Sequence, residues 1–137
     1  MTIKFTVPGI PVGKGRPRIT ATHAYTPKRT KDYENLVRGC WLQQSNKRFP
    51  EGTEMEMHVD AYFPVPKSAS KKKHLEMAGA YYSKKPDLDN VIKAIADALN
   101  GVAYDDDSHI VLVSGVKRFV NDGESPRVEI TITDVAG

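Results

Sequence analysis

Residues 86 to 101 read PDLDNVIKAIADALNG, and this segment predicts an amphipathic helix with an acidic outer side. Its apolar residues recur at three- and four-residue spacing, which places them on one side of a helix. These residues are Val91, Ile92, Ile95, Ala98 and Leu99. Asn100 and Gly101 provide a stop signal. Asp89, Lys93 and Asp97 lie four residues apart, so they line one polar strip with the lysine between two acids.

Periodicity in the rest of the chain predicts a mixed β-sheet with helices packed on it. Apolar alternation indicates strands at 3–7, 55–61, 109–120 and 128–132, and helical spacing indicates helices near 27–45, 68–77 and 87–99. The order is β-α-β-α-α-β-β, which fits a single α/β domain of the α+β kind over residues 1–137. The turn residues Asn121, Asp122 and Gly123 lead us to expect that the last two strands pair as a hairpin.

The first predicted helix should supply much of the core. Its apolar positions are Tyr33, Leu36, Val37, Cys40 and Trp41. Either Thr26 with Pro27, or Thr30, can begin this helix. Ser68 or Ser70 can cap the short basic helix that follows the second strand.

The composition is that of an ordinary globular domain. The chain has 137 residues, of which 39% are hydrophobic and 27% charged, and this suits one domain with its own core. No apolar run approaches the roughly 20 residues of a membrane span. Residues 1–10 lack the basic start and apolar run of a secretory leader, so we expect a cytoplasmic protein. Cys40 is the only cysteine and the four histidines are scattered, which argues against a disulfide within the chain and against a zinc site.

Basic residues fall into two clusters in a chain of net charge +3. Seven lysines and arginines precede the first acidic residue, Asp32, and a second group runs from Lys67 to Lys85 with Glu76 as its only acid. A single lysine often serves solubility alone, but two basic clusters beside an acidic site favour the binding of a polyanion such as nucleic acid. The residues that we expect to contact DNA are Lys14, Arg16, Arg18, Lys28, Lys71, Lys72, Lys73, Lys84 and Lys85.

Aspartates gather at two neighbouring corners of the chain, Asp87 with Asp89 and then residues 105–107. Helix capping and turn formation account for such residues one at a time. Together they crowd negative charge that a divalent cation would neutralise, and Mg²⁺ prefers carboxylate oxygens. An EF-hand calcium loop starting at Asp87 is excluded, because Ile92 and Ala98 occupy the positions that need glycine and glutamate.

The segments around these aspartates resemble a known family. KPDLDNVIKAIADALNG at 85–101 and YDDDSHI at 104–110 are similar to the signature of RusA-type Holliday junction resolvases, many of them encoded by prophages. The similarity extends more loosely to residues 13–18, 25–28 and 63–67. The resemblance implies a homodimeric, Mg²⁺-dependent endonuclease, with Mn²⁺ as an alternative ion, that cuts four-way junctions and other branched DNA by paired nicks.

The resemblance also assigns roles to particular side chains. The residues that it assigns to catalysis are Asp87, Asp89, Asp107 and Lys93. The three aspartates would be the metal ligands, with Asp106 as the second choice for the third ligand because consecutive aspartates blur the register. Asn90 and Asp97 would support them.

Two other functions stay open from the sequence alone. The chain could be a nucleic-acid-binding phage protein without catalysis, in which the aspartates only cap helices and form turns. It could also use the metal on a nucleotide or an RNA. Mg²⁺-dependent cleavage of branched DNA distinguishes the enzyme from the binding protein, and parallel incubation with linear duplex, flaps and RNA tests the substrate class.

Overall fold

Strands and helices follow one another in nearly the predicted order. The structure, a computed structural model, describes residues 1–15, 18–19, 24–25, 27–45 and 47–135, with only the backbone for residues 18–19 and 24–25. The elements are β1 (Thr2–Pro8), β2 (Arg18–Ile19), β3 (Ala24–Tyr25), α1 (Lys28–Gln44), β4 (Met55–Phe63), α2 (Lys71–Met77), α3 (Leu88–Ala98), a 3₁₀ helix (Asp107–His109), β5 (Ile110–Phe119) and β6 (Arg127–Asp134). The two-residue strands β2 and β3 are an addition to the predicted order.

The main sheet has four strands in the order β1-β6-β4-β5. β6 lies antiparallel to both β1 and β4, whereas β4 and β5 run parallel. Parallel neighbours need a long crossover, and the segment that carries α2 and α3 provides it. β2 and β3 form a separate antiparallel pair. The prediction of a small α+β domain with a mixed sheet is confirmed.

The predicted hairpin between the last two strands is wrong. β5 and β6 lie on opposite sides of β4, so Met57 of β4 pairs with Val113 on one side and with Ile132 on the other. Every second residue of β4 is buried, as expected for a strand in the centre of a sheet. The seven residues 120–126 between β5 and β6 can pass over β4, because two strand spacings amount to only about 10 Å. The predicted turn residues 121–123 therefore belong to a connection that crosses β4, not to a hairpin.

One face of the sheet carries the core. α1 and α3 pack against each other there, α1 also against β1, and α3 against β5. Phe5 of β1 meets Trp41 of α1 edge to face, with ring centroids 5.2 Å apart, an arrangement that adds to the burial energy of both rings. The core-facing residues of β4 are Met55, Met57, Val59, Ala61 and Phe63. The intervening residues of the strand point to the more exposed face.

The buried strip of α1 differs from its prediction at one position. Leu36, expected in the core, is 42% exposed, and Glu34 is buried. The other four apolar residues of the predicted stripe are buried as expected. Residue 34 is three positions before Val37 and therefore lies on the same side of the helix, whereas residue 36 is turned away from it. A charged residue thus enters the packed side of α1.

α3 lies close to β5 because Gly115 has no side chain. A Cβ atom at this position would lie 3.2 Å from the Cδ1 atoms of both Leu88 and Ile92. At the other end of the helix, the buried Tyr104 hydroxyl donates a 2.7 Å hydrogen bond to the carbonyl of Ala96. α3 is therefore held at both ends, and its polar strip projects from a fixed element.

The three helices begin in different ways. α1 begins after Pro27, and Thr30 is buried within its first turn instead of capping it. Thr26, named with Pro27 as the other possible start, lies outside the described residues. Ser70 caps α2, since its hydroxyl oxygen accepts a 3.2 Å hydrogen bond from the Lys73 N–H. Asp87 occupies the N-cap position of α3, but its side chain makes no capping hydrogen bond. Asp87 therefore does not cap the helix with its side chain, and its carboxylate contacts Lys85 instead.

The remaining expectations about the chain concern membranes and Cys40. Among the helices of the described residues, none combines the length and apolar character needed to cross a bilayer. Cys40 is buried, as expected of a core residue.

Candidate active site

α3 presents Asp89, Lys93 and Asp97 along one strip, as predicted. Asp89 and Asp97 are eight residues apart, which corresponds to about 12 Å along the helix axis. The Lys93 ammonium lies between them in sequence and is 3.5 Å from the Asp97 carboxylate. Lys93 is exposed, and an exposed pair with this spacing contributes only a few tenths of a kcal/mol. Its ammonium can therefore turn to another anion at little cost.

Asp107 meets Asp97 near the C-terminal end of this strip. Asp107 opens the 3₁₀ helix, and its backbone N–H donates a 2.8 Å hydrogen bond to the side-chain oxygen of Asn100. Burial raises the pKa of Asp107, and the adjacent Asp97 carboxyl, within hydrogen-bonding reach, raises it further, while Lys93 opposes the shift. Two carboxyl groups in contact repel when both are ionised, so a proton or a cation between them is favourable.

Lys14 holds Asp97 from the other side. Its ammonium lies 2.8 Å from Glu34 and 3.2 Å from Asp97, and the three side chains keep only 17%, 11% and 20% of their surface exposed. Burial acts to lower the pKa of Lys14, but the bonds to both carboxylates outweigh it and raise the pKa. Lys14 is thus an internal counter-ion that links the loop after β1 to α1 and α3. Its predicted contact with DNA would require it to leave both partners.

Asp87 lies at the opposite end of α3 from Asp107. Its exposed carboxylate accepts a 2.8 Å hydrogen bond from Lys85, and this bond lowers the pKa of Asp87. The turn before it is fixed by Lys117 of β5, whose ammonium donates hydrogen bonds of 2.7 and 2.8 Å to the carbonyls of Lys84 and Pro86. A residue from the sheet therefore positions the chain at Asp87.

The three consecutive aspartates have distinct surroundings. Asp105 pairs with the Arg48 guanidinium. Asp106 accepts a hydrogen bond from the Ser108 N–H as the cap of the 3₁₀ helix, and its bonds with Ser108 lower its pKa. Asp107, in contrast, faces Asp97. Of the two residues considered for the third metal ligand, Asp107 is the one that lies against the acidic strip of α3.

The pair of Asp97 and Asp107 has the chemistry of a Mg²⁺ ligand set. Mg²⁺ prefers hard carboxylate oxygens, keeps several waters, and needs only one or two carboxylates when a substrate phosphate supplies further oxygens. Among the residues that the structure describes, no three acidic, histidine or cysteine side chains are grouped closely enough to hold an ion. Asp87 and Asp89 are thus not gathered with Asp107 around one point of the protomer, and their joint role stays a prediction.

Comparison with known proteins connects these residues to a family. The model of the endodeoxyribonuclease RusA family matches residues 8–133. The chain belongs to this RusA family. YqaN of Bacillus subtilis strain 168, a protein described as uncharacterized, is 37% identical over 142 aligned positions, which cover 98% of this chain and 97% of YqaN. The resemblance that the sequence motifs indicated is therefore confirmed for the chain almost from end to end.

Most predicted DNA contacts of this RusA family member are exposed cations. They lie at the start of α1, in α2 and before Pro86, and they are Lys28, Lys71, Lys72, Lys73, Lys84 and Lys85. Lys85 is shared with Asp87, as described above. Arg16 and the side chain of Arg18 lie outside the described residues. The exposed lysines remain available to phosphates.

Sequence reasoning missed two residues that position the candidate site. Glu34 lies in the buried strip of α1, three residues before Val37, and this spacing could have identified it as an acid that needs a buried partner. Lys117 lies within an apolar strand. Nothing in its local pattern indicates that its ammonium reaches the turn before Asp87.

Proposed function

We propose that this chain is a divalent-metal-dependent endodeoxyribonuclease that resolves four-way junctions and other branched DNA by paired, symmetrical nicks. The observation that carries the proposal is the RusA family match over residues 8–133. The site geometry agrees with it, because Asp97 of α3 is contacted by both Lys93 and Asp107. The proposed substrate locates its action in the cytoplasm of a bacterium or a phage-infected cell.

The aspartates would hold the metal. Asp87, Asp89 and Asp107 are the proposed ligands of Mg²⁺, or of Mn²⁺ in its place, with Asp106 as the alternative third ligand. A bound ion supplies the charge that activates a water for in-line attack on phosphorus and that stabilises the leaving oxygen. The contact between Asp97 and Asp107 supports the assignment of Asp107, because it concentrates negative charge where a cation would relieve repulsion.

Lys93 would bind the phosphate on which negative charge grows during cleavage. Its ammonium is exposed and only 3.5 Å from Asp97, so it can turn to the phosphate while Lys14 retains Asp97 at 3.2 Å. Asn90 would support the start of the strip, since its backbone carbonyl accepts a 2.8 Å hydrogen bond from the Lys14 N–H. Asp97 supports the far end through its contact with Asp107.

The exposed lysines would bind the DNA backbone. α2 carries three of them in its first turn, and Lys84 and Lys85 lead directly to Asp87. Lysine ammonium groups bind phosphates as mobile point charges and release counter-ions. We therefore expect binding that weakens steeply as salt rises.

A homodimer would supply the second nick, and the free edge of β5 is the surface that we propose for it. Residues 80–82 cover the end of this edge through hydrogen bonds to Lys117 and Phe119. The first half of the strand carries three consecutive exposed apolar residues, Val111, Leu112 and Val113, at 55%, 49% and 51% exposure. They border a shallow cavity of about 220 Å³ that extends to Asp107. Pairing of two such edges about a two-fold axis would bring two active sites to one seam.

A single gel tests the proposed activity. A labelled four-way junction is incubated with the wild type in Mg²⁺ or in chelator, and with Asp87→Asn, Asp89→Asn, Asp107→Asn and Asp106→Asn. We expect paired nicks that need the metal and that disappear in the first three variants, whereas binding persists or strengthens because negative charge has been removed. Asp105→Asn is the matched control, because Asp105 pairs with Arg48 and should be dispensable for cleavage.

Two results would contradict the proposal. Cleavage at the normal rate by Asp87→Asn and Asp89→Asn would remove the assigned ligands from catalysis. Junction binding without metal-dependent cleavage of any DNA would favour a binding protein. Parallel lanes with linear duplex, flaps and RNA identify the preferred substrate.

A further inference from the structure

A preformed groove lies beside Asp87, between the loop after β1 and the start of α3. It encloses about 640 Å³, within the range of sites that bind small molecules. We call it the Tyr82 groove and define it by Val12, Arg29, Phe63, Tyr82, Asp87 and Asn90. Of these residues, only Asp87 and Asn90 have a role in the function proposed above.

Tyr82 gives the groove a rigid aromatic surface. Its ring is stacked on Phe63, with centroids 3.8 Å apart and planes within 3°. The Tyr82 hydroxyl donates a 3.1 Å hydrogen bond to the carbonyl of Lys85. The edge of Phe119 packs against the same ring at 5.1 Å. Phe63 covers one face of the ring, and the Lys117 ammonium lies over the ring, 5.5 Å from its centroid. Tyr82 is half-buried and lines the groove, so the part of this fixed ring that these contacts leave open borders the groove.

The side of the groove that the loop after β1 forms is fixed as well. The Lys14 N–H donates a 2.8 Å hydrogen bond to the backbone carbonyl of Asn90, and the Gly15 N–H donates a 3.0 Å bond to the hydroxyl oxygen of Thr30. Gly13 permits the close approach, because a Cβ atom there would lie 2.8 Å from Cβ of Pro86. A ligand would therefore enter a shaped groove without first ordering it.

Cations line the groove, Arg29 from α1 and Lys85 beside Asp87. Arg29 is exposed in the first turn of α1, and 85% of the Lys85 side chain is exposed although its ammonium contacts Asp87. The combination of a flat aromatic surface and exposed cations matches a nucleotide, in which a planar base is joined to phosphate. A small apolar ligand would make no favourable electrostatic contact with these cations.

We propose that the Tyr82 groove binds one unstacked nucleotide of branched DNA, with its base against Tyr82 and its phosphates toward Arg29 and Lys85. The proposal rests on the function proposed above and adds a specificity site to it. A nucleotide at the exchange point of a junction has lost a stacking neighbour, so less energy is needed to extrude it than in a continuous duplex. The groove would thus select branched DNA and align the adjacent phosphodiester with Asp87.

A double-mutant cycle that combines a substitution in the protein with an abasic nucleotide in the DNA tests the site. Binding to a four-way junction is measured by fluorescence anisotropy in chelator, for the wild type and Tyr82→Leu, with an abasic nucleotide placed in turn at each position near the exchange point. We expect Tyr82→Leu to weaken junction binding by about 5- to 150-fold, the range for loss of one base stack. One abasic position should weaken the wild type similarly and have no further effect on the variant.

Two variants separate stacking from structural effects. Tyr82→Phe keeps the ring and should bind the intact junction like the wild type. Tyr81→Leu is the matched control, because this neighbouring tyrosine is 71% exposed and packs against Arg118, outside the groove lining. Circular dichroism establishes whether Tyr82→Leu remains folded. If it unfolds, the abasic scan with the wild type and Tyr82→Phe decides.

The outcomes distinguish this proposal from the nuclease proposal. If Tyr82→Leu and each abasic position weakened junction binding independently, so that their fold-changes multiplied, the groove would not be a base-binding site. An abasic scan in which no position weakened binding would also contradict the proposal. If the wild type still cuts junctions in Mg²⁺, the nuclease assignment survives that failure. If the wild type neither binds nor cuts branched DNA, the proposed function itself fails.

Discussion

At the scale of single residues, the charged side chains of the candidate site contact and partly neutralise one another. Asp97 is contacted by Lys14, by Lys93 and by Asp107, so two cations and a second acid share one carboxylate. Glu34 in turn fixes Lys14. Spacing along α3 predicted the strip, but not that Asp107 would return to its end, because a contact across the loop 99–106 leaves no local periodicity. The burial of Glu34 was not predicted, because the stripe was assigned from apolar residue types and therefore included Leu36, which is exposed.

The raised pKa of Asp107 leads to a prediction about stability and pH. The folded state holds the Asp107 proton more tightly than the unfolded chain does, so the ionised side chain opposes folding at neutral pH. Asp107→Asn should therefore raise the melting temperature in chelator at pH 7 by roughly 1–4 °C, since solvent screening keeps the gain below about 1 kcal/mol. The difference from the wild type should shrink as pH falls through the folded pKa of Asp107. Thermal melts in chelator across this pH range measure it.

Metal and a neighbouring acid provide the controls for that prediction. Mg²⁺ should stabilise the wild type but not Asp107→Asn, because a ligand stabilises only the state that binds it. Asp105→Asn should give no gain, since it removes a partner of Arg48. A lower melting temperature for Asp107→Asn than for the wild type in chelator at pH 7 would contradict the charge argument.

Local sequence determines the elements themselves, but not which strands become neighbours. The periodic signals of β1, β4, α1 and α3 predict these elements within a few residues, because one side of each is buried. Pairing of β5 depends instead on competition for β4 between distant segments. Asn121, Asp122 and Gly123 are compatible with a hairpin and with a crossing loop alike. Strand order could therefore not be obtained from the residues of the turn.

The element α2 allows the DNA-binding prediction to be tested without disturbing the core. None of its residues is buried, and Ser70 caps it. Changing Lys71, Lys72 and Lys73 together to glutamine keeps helix-forming residues but removes three charges. Junction affinity should fall, and the slope of log affinity against log salt should become shallower by about 0.9 for each lysine that contacts a phosphate. Anisotropy titrations at several salt concentrations measure both quantities.

A second pair of lysines controls for the general loss of charge. Lys4 and Lys47 are exposed and are not among the residues that we expect to contact DNA. Their double change to glutamine should leave the salt slope nearly unchanged. An equal change of slope in both variants would mean that α2 acts only through net charge.

For the whole molecule, the sheet ends in two unlike edges. β1 forms one of them, and the exposed residues of this strand are Thr2, Lys4 and Pro8. β5 forms the other and exposes three consecutive apolar residues beside the cavity that reaches Asp107. An exposed apolar edge favours pairing with another strand. A second copy of the chain fits this edge because antiparallel pairing about a two-fold axis matches identical residues.

Leu112→Lys tests this assembly. An ammonium at the centre of the apolar edge would be buried without a partner in the dimer, so the variant should be monomeric by sedimentation at concentrations where the wild type is dimeric. Leu75→Lys is the matched control, because Leu75 is 75% exposed on α2 and does not line the cavity beside residues 111–113. The monomeric variant should also lose paired nicks in a single binding event and release singly nicked junctions, since one protomer carries one site. Sedimentation that leaves Leu112→Lys as dimeric as the wild type would exclude the β5 edge as the interface.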